Sequence, residues 1–259
     1  MLAARSRADD GRGRIVGTVA ARNTSGTGGS TTGRSGGPPP GDPTPVAAWV
    51  AAPPVGDDVV RYGPVTADER SIRLLGQLAG KRLVLLGSGR GDLAAQVTRA
   101  GAKVICLEPD PLLLDEARRH CSDAGLTLEM YQRDFAELAS IRADTVDVVL
   151  SVLELSGVAD LGRVFRQVHR ILHPEATLLL SLPHPSRALA AGLSFPLPWS
   201  DDAHHGVDHG HSVEHVFTLL VRTGFRVDNL LELHDDGDNR FPAVLLVRAR
   251  RQGAQPTAG

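Results

Sequence analysis

A run of apolar residues followed at once by alternate glycines constrains the fold more than any other stretch of this 259-residue chain. Leu83–Leu86 suits a short buried strand, and Gly87, Gly89 and Gly91 follow it. Because glycine lacks a Cβ atom, such a segment can turn sharply, adopt positive φ and let a ligand approach the backbone closely. A helical stretch then begins at Asp92. Strand, glycines and helix in this order predict the first unit of a nucleotide-binding α/β fold.

The spacing of the glycines separates two classes of ligand. This segment, called the glycine loop (residues 87–91), reads Gly-x-Gly-x-Gly, whereas dinucleotide-binding proteins carry Gly-x-Gly-x-x-Gly. Asp92 also places a carboxylate at the helix N-terminus, where a pyrophosphate would need bare N–H groups. Both features disfavour NAD or FAD and favour a nucleoside ligand without phosphate. The alternative is a tight strand-to-helix turn that binds nothing.

Composition and charge exclude several other classes of protein. A net charge of −2 creates no field that would attract nucleic acid or an anionic membrane surface. Two cysteines, both in apolar patterns, fit a reducing compartment and cannot form a Cys-rich zinc site. No apolar run reaches the roughly 18 residues of a membrane helix. We therefore expect a cytoplasmic monomer or homodimer that binds neither nucleic acid nor membrane.

Hydropathy patterns divide the chain into segments of different character. The N-terminal stretch is rich in Gly, Ser, Thr and Pro and has too few apolar residues to offset its ordering entropy. The expected segments are a disordered low-complexity tail (1–46), an N-terminal cap segment with a helix (47–80), the nucleotide-binding domain (81–251) and a second disordered tail (252–259).

Further elements follow from periodicity and from helix-end residues. A capping box of Thr66 and Glu69 predicts a helix that extends to about Leu78. A later amphipathic helix begins after Asp160 and is expected to stop at Pro174. Additional strands are predicted at 103–107, 127–131, 145–152 and 177–182, and two antiparallel strands at 226–233 and 241–250.

An acidic residue ends the second predicted strand. Glu108 lies 17 residues beyond Gly91. A carboxylate at this position can accept hydrogen bonds from both hydroxyls of a ribose, and a charged bidentate acceptor is a strong partner for two donors. The alternative is an acid that interacts with the dipole of the next helix, a role that Asp110 fits better than Glu108 does. We predict that Glu108 binds a ribose.

From about residue 62 to residue 250, the chain resembles the class I S-adenosylmethionine-dependent methyltransferases. It is most similar to the small-molecule, methyltransferase type 11-like members, which carry Ser-Leu-Pro-His-Pro after the fifth strand, as residues 181–185 do here. The resemblance implies a Rossmann-like, doubly wound, mostly parallel seven-stranded sheet with a C-terminal antiparallel hairpin, and S-adenosyl-L-methionine as the cofactor. The residues that it places around the cofactor are Gly87, Ser88, Gly89, Gly91, Glu108, Pro109 and Asp110, with Asp134 and Phe135 at the adenine and Ser151 and Val152 beside the sulfonium.

The chain departs from the family at two positions that bear on cofactor binding. Family members usually carry an acid two residues before the first glycine, which helps to hold the methionine part of the cofactor, and Leu85 stands there. Arg90 replaces a small residue in the glycine loop and either contacts the cofactor carboxylate or points to water. The Asp/Asn-Pro-Pro-aromatic signature is absent, which argues against DNA adenine or glutamine as the methyl acceptor.

Candidate substrate contacts come from the cap segment and from the long connection after the fifth strand. His184, between two prolines, is a candidate for catalysis; the alternative is a turn histidine that positions a lid. Tyr62 either closes the pocket or packs in the core, and His211 is placed in the substrate pocket. A His- and Asp-rich run over 201–215 matches no ordered metal site, so no metal is predicted.

The predicted activity is transfer of a methyl group from S-adenosylmethionine to a small molecule. Because a sulfonium is already a good leaving group, the enzyme mainly aligns the acceptor and excludes water. A general base is needed only when the acceptor carries a proton that must leave. The alternatives are a non-catalytic methyltransferase-like protein that binds S-adenosylmethionine and, disfavoured by the glycine spacing, an NAD-dependent enzyme.

Overall fold

The computed structural model describes residues 59–63, 66–190, 211–234 and 240–253. The predicted tail 1–46, the first part of the cap segment and residues 254–259 lie outside these ranges. Among the helices of the described ranges, none is long and apolar enough to cross a membrane.

Seven strands in the described part of the chain form one mixed sheet, in the order β3-β2-β1-β4-β5-β7-β6. Strands β1 to β5 are parallel, whereas β7 pairs antiparallel with both β5 and β6. The predicted fold class, with its reversed C-terminal pair, is therefore confirmed. The strands are β1 Arg82–Leu86, β2 Lys103–Glu108, β3 Glu129–Gln132, β4 Val146–Val152, β5 Leu172–Pro183, β6 Phe225–Leu233 and β7 Val244–Arg251.

Helices cover both faces of this sheet because its central strands are apolar on both sides. Val84 and Leu86 of β1 belong to one buried layer, and Leu83 and Leu85 to the other. The helices are α1 Glu69–Ile72, α2 Asp92–Arg99, α3 Pro111–Asp123, α4 Leu161–Ile171, α5 Pro185–Ala190 and α6 Val213–Arg222. Helix α4 buries its predicted apolar stripe in the first layer, and α2 buries Ala94 and Val97 in the second.

The predicted N-terminal helix is much shorter than expected. Helix α1 contains four residues and begins after Asp68, whose carboxylate accepts a hydrogen bond from the Ser71 N–H at 3.1 Å. Arg73, at φ +56°, ends it. The Glu69 carboxylate accepts hydrogen bonds from the N–H groups of residues 74, 75 and 76. These bonds stabilise a non-helical turn, so the prediction of a helix to Leu78 is wrong.

Pro174 does not stop a helix, contrary to the prediction. Helix α4 ends at Ile171, and β5 begins at the next residue, Leu172, which pairs with Val146 of β4. The strand therefore passes through Pro174 and is twice as long as predicted from residues 177–182. Tertiary pairing, rather than the proline, decides where this helix ends.

Candidate cofactor site

The glycine loop lies where the carboxyl ends of three neighbouring strands meet. Because β1 stands between β2 and β4, the loop after β1 is flanked by Glu108 at the end of β2 and by Ser151 near the end of β4. Ligands of open α/β sheets bind at this edge. The topology therefore brings these predicted cofactor residues together, although they lie far apart in the sequence.

Glu108 is bound directly to the glycine loop. Its side chain is only 2% exposed, and Oε2 accepts hydrogen bonds from the N–H and the Oγ–H of Ser88, each at 2.9 Å. Oε1 accepts the Asp110 N–H at 3.2 Å. Since a carboxylate offers about four acceptor positions, Oε1 retains capacity for a ligand hydroxyl. The predicted acid and the predicted loop form one unit; the contact with ribose stays a prediction.

The glycines of the loop have different structural roles. Gly91 has φ +101°, and a Cβ atom added to it would lie 2.8 Å from His120 Cβ and 3.0 Å from Ala117 Cα, both in α3. A Cβ atom on Gly89 would lie 2.8 Å from Leu93 Cβ. These two glycines therefore allow the loop to pack closely against neighbouring helices. Their contact with the cofactor, which would involve backbone atoms only, stays a prediction.

Glu154, which the sequence analysis does not select, covers the side of the loop at Gly87. Gly87 has φ +93°, and a Cβ atom there would lie 2.0 Å from Glu154 Cγ. The partly buried Glu154 carboxylate accepts a hydrogen bond from the Gly89 N–H. Burial, followed by the negative charge of Glu108, raises the pKa of Glu154 to about 7. An acid that exchanges a proton near neutral pH thus lies beside the loop.

Ser151 supplies a buried polar atom next to the same loop. Its side chain is fully buried, and its Oγ has no hydrogen-bond partner among the described residues. A buried hydroxyl without a partner costs free energy that a ligand atom can recover. Together with the bare backbone at Gly87 and the acceptor on Glu108, this hydroxyl fits a nucleoside cofactor with a polar tail. Val152, the next residue, is partly exposed.

The predicted adenine contacts lie in the segment after β3. Asp134 is exposed, and its Oδ1 accepts the Ala136 N–H at 2.7 Å, which fixes the local turn. Phe135 is buried in the same apolar layer as Val84. Because β3 adjoins β2, this turn lies two strands from the glycine loop, at the same edge of the sheet. Their roles toward adenine stay predictions.

Asp110 is the N-cap of α3, as the alternative interpretation suggested. Its Oδ1 accepts the Leu112 N–H at 2.7 Å, and the preceding Pro109 carbonyl accepts from Gln132 Nε2 at 3.5 Å. We expect Asp110→Ala to lower the free energy of unfolding by about 1 kcal/mol, because the N–H groups of Leu112 and Leu113 lose their acceptor. Urea denaturation measures this loss. An unfolding free energy equal to that of the wild type would show that the cap contributes nothing.

Both ring nitrogens of His184 have partners. Nδ1 accepts the Ser186 N–H at 3.1 Å and lies 2.6 Å from Ser186 Oγ. Since Nδ1 accepts a backbone donor, the ring proton is assigned to Nε2, which donates to Glu232 Oε1 at 2.9 Å. Burial lowers the pKa of His184, against the opposing effect of Glu232. This arrangement favours a positioning role over a general base.

Tyr62 is a packing residue in this structure. The ring is fully buried in the same apolar layer as Leu75 and Leu83, and the hydroxyl donates to Glu69 Oε2 at 2.5 Å. Burial and this bond raise the pKa of Tyr62. The geometry thus favours packing over closure of a pocket.

His211 is 7% exposed and stacks on His215 of α6, with ring centroids 5.7 Å apart. Within the described ranges, no group of three or more His, Cys, Asp or Glu side chains could hold a metal ion. The remaining members of the His- and Asp-rich run lie outside those ranges: His204, His205, His209, Asp201, Asp202 and Asp208.

Comparison with known proteins agrees with this geometry. The family model described as a methyltransferase domain matches residues 84–180. The ubiquinone biosynthesis O-methyltransferase of Azorhizobium caulinodans is 28% identical over 167 residues, which cover 63% of this chain and 64% of that protein. The protein of the same name from Nitrosococcus oceani is 32% identical over 167 residues, covering 63% of this chain and 71% of that protein.

A solved structure extends the similarity to the fold. The S-adenosylmethionine-dependent methyltransferase from Mesorhizobium loti is 26% identical, with a TM-score of 0.57, and the match covers 70% of this chain and 96% of that one. The chain spans just under two thirds of the Azorhizobium relative. Sheet order, glycine loop and relatives together show that the chain belongs to the class I S-adenosylmethionine-dependent methyltransferase family.

Proposed function

We propose that this chain binds S-adenosylmethionine at the glycine loop and transfers its methyl group to a small-molecule acceptor. The observation that carries the proposal is the pairing of Glu108 with Ser88. It holds a buried carboxylate, which can accept hydrogen bonds from ribose hydroxyls, beside the backbone of the glycine loop. A pyrophosphate would find carboxylates here instead of free N–H groups. A nucleoside with a cationic, phosphate-free tail is the ligand class that suits this charge.

The other predicted residues complete the proposed binding mode. Asp134 and the backbone at Phe135 would hold the adenine, and the methionine end would extend toward Gly87 and Ser151. When bound, S-adenosylmethionine supplies an activated methyl group on its sulfonium. The chain then has to align the acceptor with that group and keep water away from it.

We further propose a hydroxyl oxygen of a small molecule as the methyl acceptor. Two of the relatives are named O-methyltransferases of ubiquinone biosynthesis, and this supports oxygen as the acceptor atom. Aromatic residues make up only 4% of the chain, which disfavours a cation–π cage for a quaternary amine. A hydroxyl acceptor has to lose a proton, so its reaction should accelerate with rising pH until that proton is gone.

Calorimetry followed by a transfer assay tests the proposal. We expect heat of binding with S-adenosylmethionine and with S-adenosylhomocysteine, and none with NAD. A labelled methyl donor incubated with a panel of small hydroxylated metabolites should then yield a labelled product. Absence of binding to both sulfur ligands would end this proposal.

Two observations favour a second candidate, a non-catalytic protein that binds S-adenosylmethionine. Leu85 replaces the acid that in most family members helps to hold the methionine part of the cofactor. In addition, the Glu154 side chain lies against Gly87. Binding of the cofactor without label transfer to any acceptor class would support this candidate over the enzyme.

A further inference from the structure

We infer that Glu154 is the counter-ion of the cofactor's positively charged methionine end, taking over the charge that β1 lacks at Leu85. The inference rests on the proposed binding of S-adenosylmethionine. It assigns to this side chain, in the turn after β4, a task for which the sequence pattern leaves no residue on β1.

The backbone before Glu154 is held in a conformation that leucine rarely adopts. Leu153 has φ +65°, in the left-handed region, and its N–H donates to the Ser181 carbonyl at 3.0 Å. This bond ties the turn to β5 and directs the chain into a short 3₁₀ helix that begins at Glu154. Strained residues of this kind concentrate at functional sites. Here the strain aims Glu154 at Gly87.

Two carboxylates from neighbouring strands flank the glycine loop. Glu108 ends β2 and Glu154 follows β4, the two strands on either side of β1, and the charge of Glu108 disfavours ionisation of Glu154. Arg90 and the Gly89 N–H oppose this effect, and the buried Cys106 thiol, whose pKa is raised by burial, also faces Glu154. A cation between the carboxylates would relieve their repulsion. The methionine end carries an ammonium and a sulfonium besides its carboxylate, so it is cationic overall.

Members of the family usually carry an acid two residues before the first glycine, but in this chain that position is in an apolar layer that would not accommodate a charged side chain. Leu85 is fully buried in the apolar layer that also holds Ala94 and Cys106. It therefore cannot contact an ammonium or sulfonium favourably, whereas the Glu154 carboxylate already lies against the glycine loop. The three atoms nearest to a Cβ atom added at Gly87 all belong to the Glu154 side chain.

The test compares Glu154→Gln with a matched control, Glu175→Gln. Glu175 is exposed, pairs with Arg226 at 2.9 Å and lies near the start of β5, away from the glycine loop. We expect Glu154→Gln to weaken binding of S-adenosylmethionine about tenfold or more at neutral pH, since one charge-assisted contact is lost. Binding of adenosine, which lacks the methionine end, should be unchanged, as should every affinity of the Glu175→Gln control.

The pH dependence supplies a second readout. Below its pKa of about 7, Glu154 is protonated and has to release that proton to pair with a cation. Affinity of the wild type for S-adenosylmethionine should therefore rise from about pH 6 to about pH 7.5, by at most about tenfold per pH unit. In Glu154→Gln, the profile should be flat over the same interval, which a merely structural role would not produce.

S-adenosylhomocysteine identifies which cation Glu154 contacts, because it keeps the ammonium and lacks the sulfonium. Equal weakening with both ligands would assign the ammonium, and weakening with S-adenosylmethionine alone would assign the sulfonium. Unchanged or tighter binding of both ligands to Glu154→Gln would overturn the inference, while wild-type binding leaves the proposed function intact. If the wild type binds neither ligand, the proposed function itself fails.

Discussion

Glu108→Ala is expected to raise the dissociation constant for S-adenosylmethionine by roughly 10-fold to 150-fold. This change corresponds to about 1.5 to 3 kcal/mol, the loss of one charge-assisted hydrogen bond from a ribose hydroxyl to Oε1. The structure supports the expectation because Glu108 is nearly fully buried and fixed by Ser88, so its Oε1 is held in place before the ligand arrives. Isothermal titration calorimetry measures the effect directly.

Two controls separate a lost ribose contact from a disturbed loop. Glu108→Gln keeps the shape and one acceptor oxygen, so its affinity should lie between those of the wild type and Glu108→Ala. Adenosine should lose as much affinity as S-adenosylmethionine does in Glu108→Ala, because both carry the ribose. A folded Glu108→Ala protein with the wild-type dissociation constant would show that the ribose binds elsewhere.

Gly91→Ala should lower the free energy of unfolding by about 2 to 5 kcal/mol. A side chain at φ +101° is strained by roughly 1 to 2 kcal/mol. The added methyl group would also meet the backbone of α3 at Ala117 Cα, 3.0 Å away, and such overpacking costs about 1 to 3 kcal/mol. Chemical denaturation of the purified variant measures the sum.

Gly125→Ala is the matched control for that substitution. Gly125 also has positive φ, at +68°, but a Cβ atom there would have no neighbour within 4 Å. It should therefore show only the backbone cost, about 1 kcal/mol. Equal losses in the two variants would contradict the view that Gly91 exists to let α3 approach the glycine loop.

Most of the fold could be predicted from local patterns. The strand of Leu83 to Leu86, the helix after Asp160 and the C-terminal strand pair all form where the apolar patterns indicate. The boundaries of two elements were predicted wrongly because they depend on contacts outside the local sequence pattern. Helix α1 is short because the Glu69 carboxylate binds three backbone N–H groups of a following turn, and β5 starts early because Leu172 pairs with β4.

A residue of the candidate site could be predicted from the sequence when its position at the end of a strand is enough to bring it to the glycine loop. Glu108 could be selected because it ends the strand next to the glycine loop. Glu154 could not, since its contact with Gly87 depends on the left-handed backbone of Leu153, which nothing in a leucine indicates. The pairing of His184 with Glu232 was equally hidden, because 48 residues separate them in the chain.

A crystal structure of the complex with S-adenosylhomocysteine tests the central claim most directly. The account predicts both ribose hydroxyl oxygens beside Glu108, at least one of them within about 3.2 Å of Oε1, with the ribose next to Ser88. A bound ligand whose ribose lies away from Glu108, with that carboxylate still satisfied only by Ser88 and Asp110, would contradict it.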